Sequence, residues 1–338
     1  KALGYPFVIV RHFFYIFACK SAPPCNPTME LVNMTNRRTS QIALTATLSL
    51  AICPMAVAAP DTDRGEIILG VERVTLKRND DDFISSSEAN KWTRPSLRGI
   101  WARDIDTQTR FVGDVELAAY STAGVAAGSI EDDSPKGHRT IGLSLMKDVD
   151  EQRTVAFGFD YIAVVATQTE ADATKEAFGF NMGYARNLDQ WGYAIHAGAI
   201  VDGTEEAQDA LIKAQYFGLG LEYIAQANTR LGITHSYLRG DEYDRDERKS
   251  DQRVAITSVF AERAIGEHRV SAGARYHDWR REDVAGSNIG EIQRAEGTSF
   301  FVTYSIPFGQ SLTANERLVL TTAPDITEFV MVGGATMD

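Results

Sequence analysis

Between residues 65 and 308, apolar residues alternate with small or polar ones in run after run. The clearest run sets Phe178, Phe180, Met182 and Tyr184 against Gly179, Asn181, Gly183 and Ala185. Successive side chains of a β-strand point to opposite faces, so such a run predicts a strand with one apolar and one small or polar face. The alternation predicts about twelve strands. They fall near residues 65–76, 94–104, 109–120, 138–147, 152–165, 176–186, 190–201, 212–224, 229–238, 251–263, 268–278 and 298–308.

The connections alternate in length. Short ones at 104–108, 147–151, 187–189, 226–228 and 265–267 carry the Asp, Asn and Gly that tight turns use. Long polar ones cover 77–93, 121–137, 166–175, 202–211, 239–250 and 279–297. Four short turns are soon followed by arginine, at Arg110, Arg153, Arg230 and Arg269. This weak repeat marks the hairpin as the building unit, and it predicts arginines anchored at headgroup level.

An even number of long strands, with short turns at one end and long loops at the other, predicts an all-β fold. The architecture is a transmembrane antiparallel up-and-down β-barrel of about twelve strands. A soluble β-sandwich also alternates, but it needs neither strands this long nor loops of alternating length. The outward face includes Val155, Phe157, Phe159 and Tyr161; Phe178 and Phe180; Trp191, Tyr193 and Ile195; Phe217, Leu219, Leu221 and Tyr223; and Phe300, Val302, Tyr304 and Ile306. Aromatics near strand ends suit an interfacial girdle.

Across residues 65–308 the chain resembles the bacterial outer-membrane β-barrel class, porin-like, with no narrower family. Its last strand, Ser299–Phe308, alternates aromatic and apolar residues and ends on Phe308, like the terminal assembly signal of that class. In the class that strand usually ends the chain, whereas here residues 309–338 follow. The resemblance implies an outer-membrane location and as partners the barrel-assembly machinery, outer-membrane lipid and lipopolysaccharide.

The targeting segment agrees with that location. Asn36-Arg37-Arg38 forms a basic region, residues 42–57 an apolar one, and Ala56-Val57-Ala58 a small-residue cleavage site. Residues 34–59 therefore read as a signal peptide, cleaved after Ala58 or Ala59. Residues 1–33, ahead of Met34, read as an upstream extension outside the native frame. Residues 60–308 form the expected barrel, and 309–338 a periplasmic tail or an inward plug. Within that tail, Leu318-Val319-Leu320 and Phe329-Val330-Met331-Val332 suggest a small hairpin.

Charge and cysteine use narrow the picture. Residues 1–59 hold Lys1, Arg11, Lys20, Arg37 and Arg38 against Glu30; without that net +4 the formal charge falls from −12 to −16. So acidic a chain is a poor nucleic-acid binder. Cys19, Cys25 and Cys53 all precede residue 60, so the barrel needs no disulfide and no metal-thiolate site. No cofactor motif or phosphate-cradling loop occurs. The acidic clusters Asp80-Asp81-Asp82, Glu131-Asp132-Asp133 and 241–247 are oxygen-rich and suit divalent cations, without the spacing of a dedicated calcium loop.

The inward face gathers Glu72, Arg98, Asp114, Glu116, Asp160, His196, Glu222, Arg230, Arg269 and Arg275. Charges of both signs at membrane depth must pair or stay hydrated. Two readings follow: a narrow, water-filled passage for small polar solutes or ions, or a salt-bridged interior that conducts nothing and serves structure or adhesion. A third is a lipid-modifying hydrolase built on His235 and Ser258, which the alternation places on the outward face of neighbouring strands. It lacks an orienting third group.

Overall fold

In the computed structural model, Ala58–Asp338 forms one compact unit. The structure describes residues 63–79, 90–120, 135–167, 172–202, 209–226, 228–244, 249–285 and 292–325. The targeting segment, the upstream extension and residues 329–332 lie outside them.

Twelve strands run in chain order. They are β1 (Asp63–Asn79), β2 (Asn90–Asp104), β3 (Thr109–Ala119), β4 (Pro135–Asp148), β5 (Arg153–Thr167) and β6 (Asp172–Leu188). They continue as β7 (Trp191–Asp202), β8 (Asp209–Gln226), β9 (Thr229–Asp244), β10 (Lys249–Ile265), β11 (His268–Ala285) and β12 (Ile292–Gly309). Each pairs antiparallel with its sequence neighbour, and β1 pairs antiparallel with β12. Closure leaves no sheet edge, which is what a strand-built wall in hydrocarbon requires.

All twelve predicted strands are present, and most run further than the alternation shows. β9 continues to Asp244 and β10 begins at Lys249, inside the predicted loop 239–250. Alternation marks only the band that meets lipid. Beyond it a polar stretch such as Asp241-Glu242-Tyr243-Asp244 pairs through its backbone without an apolar pattern. The clusters at 80–82 and 131–133 lie outside the described residues, as do residues 245–248.

The outward face is apolar and open. Phe157, Phe180, Phe217, Leu219, Val302 and Tyr304 are all exposed there. Phe159 is half-buried because it stacks on Phe178, with ring centroids 5.7 Å apart, and meets Phe180 edge-on at 5.3 Å. Phe308 sits at the closing seam, in register with Gly65. A Cβ on Gly65 would lie 2.1 Å from the Phe308 ring, so only glycine admits the ring at that point.

Past β12 the chain turns back. Gln310 N–H donates to the Asp63 carbonyl at 3.1 Å, and helix α1 (Ala314–Thr322) follows. Thr313 caps the helix: Glu316 N–H donates to Thr313 Oγ1 at 3.2 Å, and Thr313 N–H donates to Glu316 Oε2 at 2.6 Å. This reciprocal capping box fixes the start of a helix too short to be stable alone. Leu318-Val319-Leu320 is therefore helical, not part of a hairpin as its three adjacent apolar residues suggest.

Candidate functional site

The interior of the barrel is built in three layers. At the end with the short turns, which is the periplasmic end in this architecture, α1 lies against the wall. Leu312, Leu318, Val319 and Leu320 pack with Ile100, Ala102, Val112, Met146, Ala156, Ala185 and Ala194. Asn315 Nδ2 donates to the Glu151 carbonyl in a short turn, at 3.4 Å. The wall is shaped for the helix: a Cβ on Gly220 would stand 2.2 Å from the Thr322 side chain.

Charges hold the helix as well. Glu316 is fully buried, and its carboxylate takes Arg64 at 2.9 Å and Arg110 at 2.8 Å. Those arginines also reach Asp104 and Asp148. Arg317 binds Glu262 at 2.5 Å and lies 3.6 Å from Glu66, which also pairs with Arg269. Thr321 Oγ1 donates to Glu222 at 2.8 Å, and Glu222 pairs with Arg230.

The arginines after the short turns therefore do something different from the expected anchoring. Arg110, Arg230 and Arg269 point inward to carboxylates and do not reach headgroups. Only Arg153 of the four is exposed, paired with Asp150 in its own turn. The reason is parity. Each of the three inward arginines sits one or two residues into its strand, on the position that faces the interior, where Glu316, Glu222 and Glu66 provide compensation.

The middle layer is polar and encloses a cavity of about 310 Å³. Glu72, Arg98, Asp114, Glu116, Asp160, His196 and Arg275 line it, together with Asp325 from the segment after α1. Glu72 accepts from Ser299 at 2.5 Å and from Arg275 at 3.2 Å, and it pairs with Arg94. Arg94 also meets Asp325 at 3.3 Å. Arg98 Nε lies 3.0 Å from both oxygens of Asp114. Asp160 accepts from Asn181 Nδ2 at 2.6 Å, and Glu116 stands 3.7 Å from His138. His196 Nε2 shares a 3.0 Å hydrogen bond with Thr322. Glu222, Arg230 and Arg269 lie below this cavity with α1, not around it.

The third layer, toward the long loops, is apolar. Ile162, Ala177, Ile200, Ala214, Tyr216, Leu238, Val254, Ile256, Trp279 and Ala295 cluster there, with Tyr120 packed against them.

The hydrolase pair does not assemble. His235 faces outward in register with Thr257 and shares a 2.9 Å hydrogen bond with it. Ser258 pairs with Thr234 and is buried on the inward side. Register separates the two residues by one position, which in a strand is a change of face. No group of three His, Cys, Asp or Glu side chains among the described residues is arranged to hold a metal ion.

Sequence reasoning missed Arg64, Glu66, Arg94, Glu262, Glu316 and Arg317. Parity within the predicted strand is enough to find Arg94, four residues before inward Arg98; the alternation that puts Ser258 outward puts Glu262 there too, so Glu262 is missed with it. Thr313-Ala314-Asn315-Glu316 is a capping-box sequence and was the signal for the helix.

No protein-family model matches the chain, and no curated protein sequence does. Solved structures do match. An outer membrane channel from Pseudomonas putida F1 superposes with a TM-score of 0.57 at 15% identity, covering 74% of this chain and 97% of the other. What the two share is the fold, a closed antiparallel β-barrel. The P. putida toluene transporter TodX superposes at a TM-score of 0.42 and 10% identity, over 75% of this chain and 92% of that one. The KdgM porin gives 0.37 at 7%, over 70% and 99%. At such identities the likeness is one of architecture.

Proposed function

We propose that the protein is a porin-like passive channel of the bacterial outer membrane for small polar solutes or ions, occluded at its periplasmic end by its own tail. The charged cavity enclosed by a closed barrel carries this reading. Desolvated charges of both signs are costly unless paired or wet, and a cavity among them is where water and solute fit. Asp160 is held by an amide and Glu116 by a histidine, while Asp114 has an arginine partner. The lining is thus biased toward carboxylate, which raises local cation concentration and gives a mild cation preference.

The docked helix favours a second reading, a non-conducting barrel serving structure or adhesion. One experiment separates the two. In planar bilayers the full chain should open rarely, and a variant lacking residues 314–338 should conduct steadily. In the truncated background, Asp114→Asn with Glu116→Gln should move the reversal potential toward anions in a salt gradient. That shift should shrink toward 1 M salt, where the Debye length is about 3 Å. Folded, truncated protein that produced no conductance steps would remove the channel reading and leave the structural one. A hydrolase reading has no assembled pair to rest on.

A further inference from the structure

On the outward face of β9–β12, four arginines stand opposite one another across three consecutive strand pairs. Arg239 is in register with Arg253, Arg253 with Arg280, and Arg280 with Arg294. Like charges directly opposite across a sheet repel, so this row needs negative charge from its surroundings. Carboxylates on the flanking rows supply part of it. Asp251 takes both Arg239, at 3.0 Å, and Arg253, at 2.8 Å. Glu282 takes Arg280 at 3.3 Å, and Asp278 takes Arg294 at 3.2 Å.

These contacts leave the guanidiniums open. The side chains of Arg239, Arg253, Arg280 and Arg294 are 63%, 37%, 42% and 49% exposed. A guanidinium has five donors, and one carboxylate occupies at most two of them well. The next strands around the wall add exposed Arg73 and Lys91 on the same outward face. Among the described side chains, six cations here meet the four carboxylates Asp251, Asp278, Glu282 and Glu296, in a chain whose formal charge is −12. Height matters too. The row begins two residues beyond Tyr237 and four beyond Tyr276, both exposed, and Tyr276 donates to Glu296 at 3.1 Å. Tyrosines at that position mark the interface between hydrocarbon and headgroups. The arginines lie just outside it, at the long-loop end.

We infer that the Arg239–Arg253–Arg280–Arg294 row is a binding site for the phosphates of outer-leaflet lipopolysaccharide. Phosphate suits it because a planar guanidinium fork binds two phosphate oxygens at once, and a row spaced by the strand separation of about 4.8 Å presents several forks to one multiply phosphorylated headgroup. The site rests on the outer-membrane reading, but not on conduction, so a silent bilayer recording leaves it standing.

The test uses the folded full chain in detergent, titrated with diphosphorylated lipid A, dephosphorylated lipid A and inorganic phosphate, with bound lipid counted by native mass spectrometry. Arg253→Gln with Arg280→Gln should weaken diphosphorylated lipid A about tenfold, with Arg253→Lys and Arg280→Lys falling between. Arg139→Gln, on the outward face of β4, should leave binding within a factor of two. Should the glutamine pair fail to fold, the lysine pair gives the same reading. Unchanged affinity in the folded variants overturns the site. Equal binding of the dephosphorylated lipid reduces it to acyl-chain contact and overturns it as well. Competition by inorganic phosphate at lipid-equivalent concentration assigns the row to a soluble anion and overturns the lipid assignment.

Discussion

At the long-loop end of the interior, Ile162, Ile200, Leu238, Val254 and Trp279 come from five different strands. At the short-turn end, Leu312, Leu318, Val319 and Leu320 come from one stretch that follows the last strand. Both layers are apolar and buried, yet they differ in how they can be cleared. The outer one is part of the wall, and removing a side chain leaves a void that its neighbours only partly refill. The inner one belongs to a single helix, and movement of that helix would clear the whole end at once. The helix is also held by ion pairs around Glu316 and Arg317, whereas the outer layer is built chiefly from apolar side chains of the strands themselves. Occlusion is therefore separable from wall stability at one end only.

Glu316→Ala should give the largest effect. It removes both buried arginine contacts and the side-chain half of the capping box. Breaking a buried ion pair costs about 3–5 kcal/mol, and the low end applies because Arg64 and Arg110 keep Asp104 and Asp148. Urea unfolding in detergent should show the loss as an earlier first transition, and bilayer recordings should show longer openings. A variant with wild-type gating and an unshifted transition would mean that the helix is not held by charge.

The wall and the plug were unequally legible in the sequence. Phe178–Ala185 reads directly as a strand because hydrocarbon on one side and water on the other impose a period of two. The same parity carried Asp114, Asp160 and Arg275 to the interior. It carries Arg230 and Arg269 there as well, whereas the reading of the turn-following arginines as headgroup anchors lacks the acid partners Glu316, Glu222 and Glu66 that only the fold brings to Arg110, Arg230 and Arg269. Helix α1 was hidden for two reasons. Nine residues hold too few turns for a period of 3.6 to emerge, and Leu318-Val319-Leu320 imitates a strand. Its main partner, Arg64, lies 252 positions from Glu316. Nothing local announces such a pair. Ser258 failed for a third reason: the face of a residue follows from register, and the loop between β9 and β10 does not specify register by length.

Two truncations compare the ends directly. Leu318→Ala and Leu238→Ala each delete a fully buried leucine, and each should cost about 2–4 kcal/mol. Their functional consequences should part. Leu318→Ala loosens the helix and should raise the open fraction in bilayers. Leu238→Ala opens a void in the outer layer and should lower the unfolding midpoint without altering occlusion at the periplasmic end. If Leu238→Ala raised conductance as much as Leu318→Ala, both layers would act as barriers and the helix would lose its distinct role.

The smallest effect belongs to the short turns that frame the plug. Asp106 accepts from the Gln108 amide at 2.8 Å and the Thr109 amide at 2.7 Å, and these bonds hold its carboxyl below the ordinary 3.8. Asp150 is held low chiefly by Arg153 and then by the Gln152 and Arg153 amides. A depressed carboxyl pKa means that protonation weakens the fold: the stabilisation is present above the ordinary aspartate value and lost as pH falls through the depressed one. Both groups are exposed, so the loss should stay local. Amide exchange at Gln108 and Thr109, corrected for intrinsic rates, should accelerate on acidification below pH 3.8. Asp106→Asn keeps an acceptor that does not titrate and should remove that acid step. Simultaneous release of the turn and of the helix over this pH range would show the periplasmic end to be one cooperative unit, and the contrast between a fixed wall and a separable plug would have to be redrawn there.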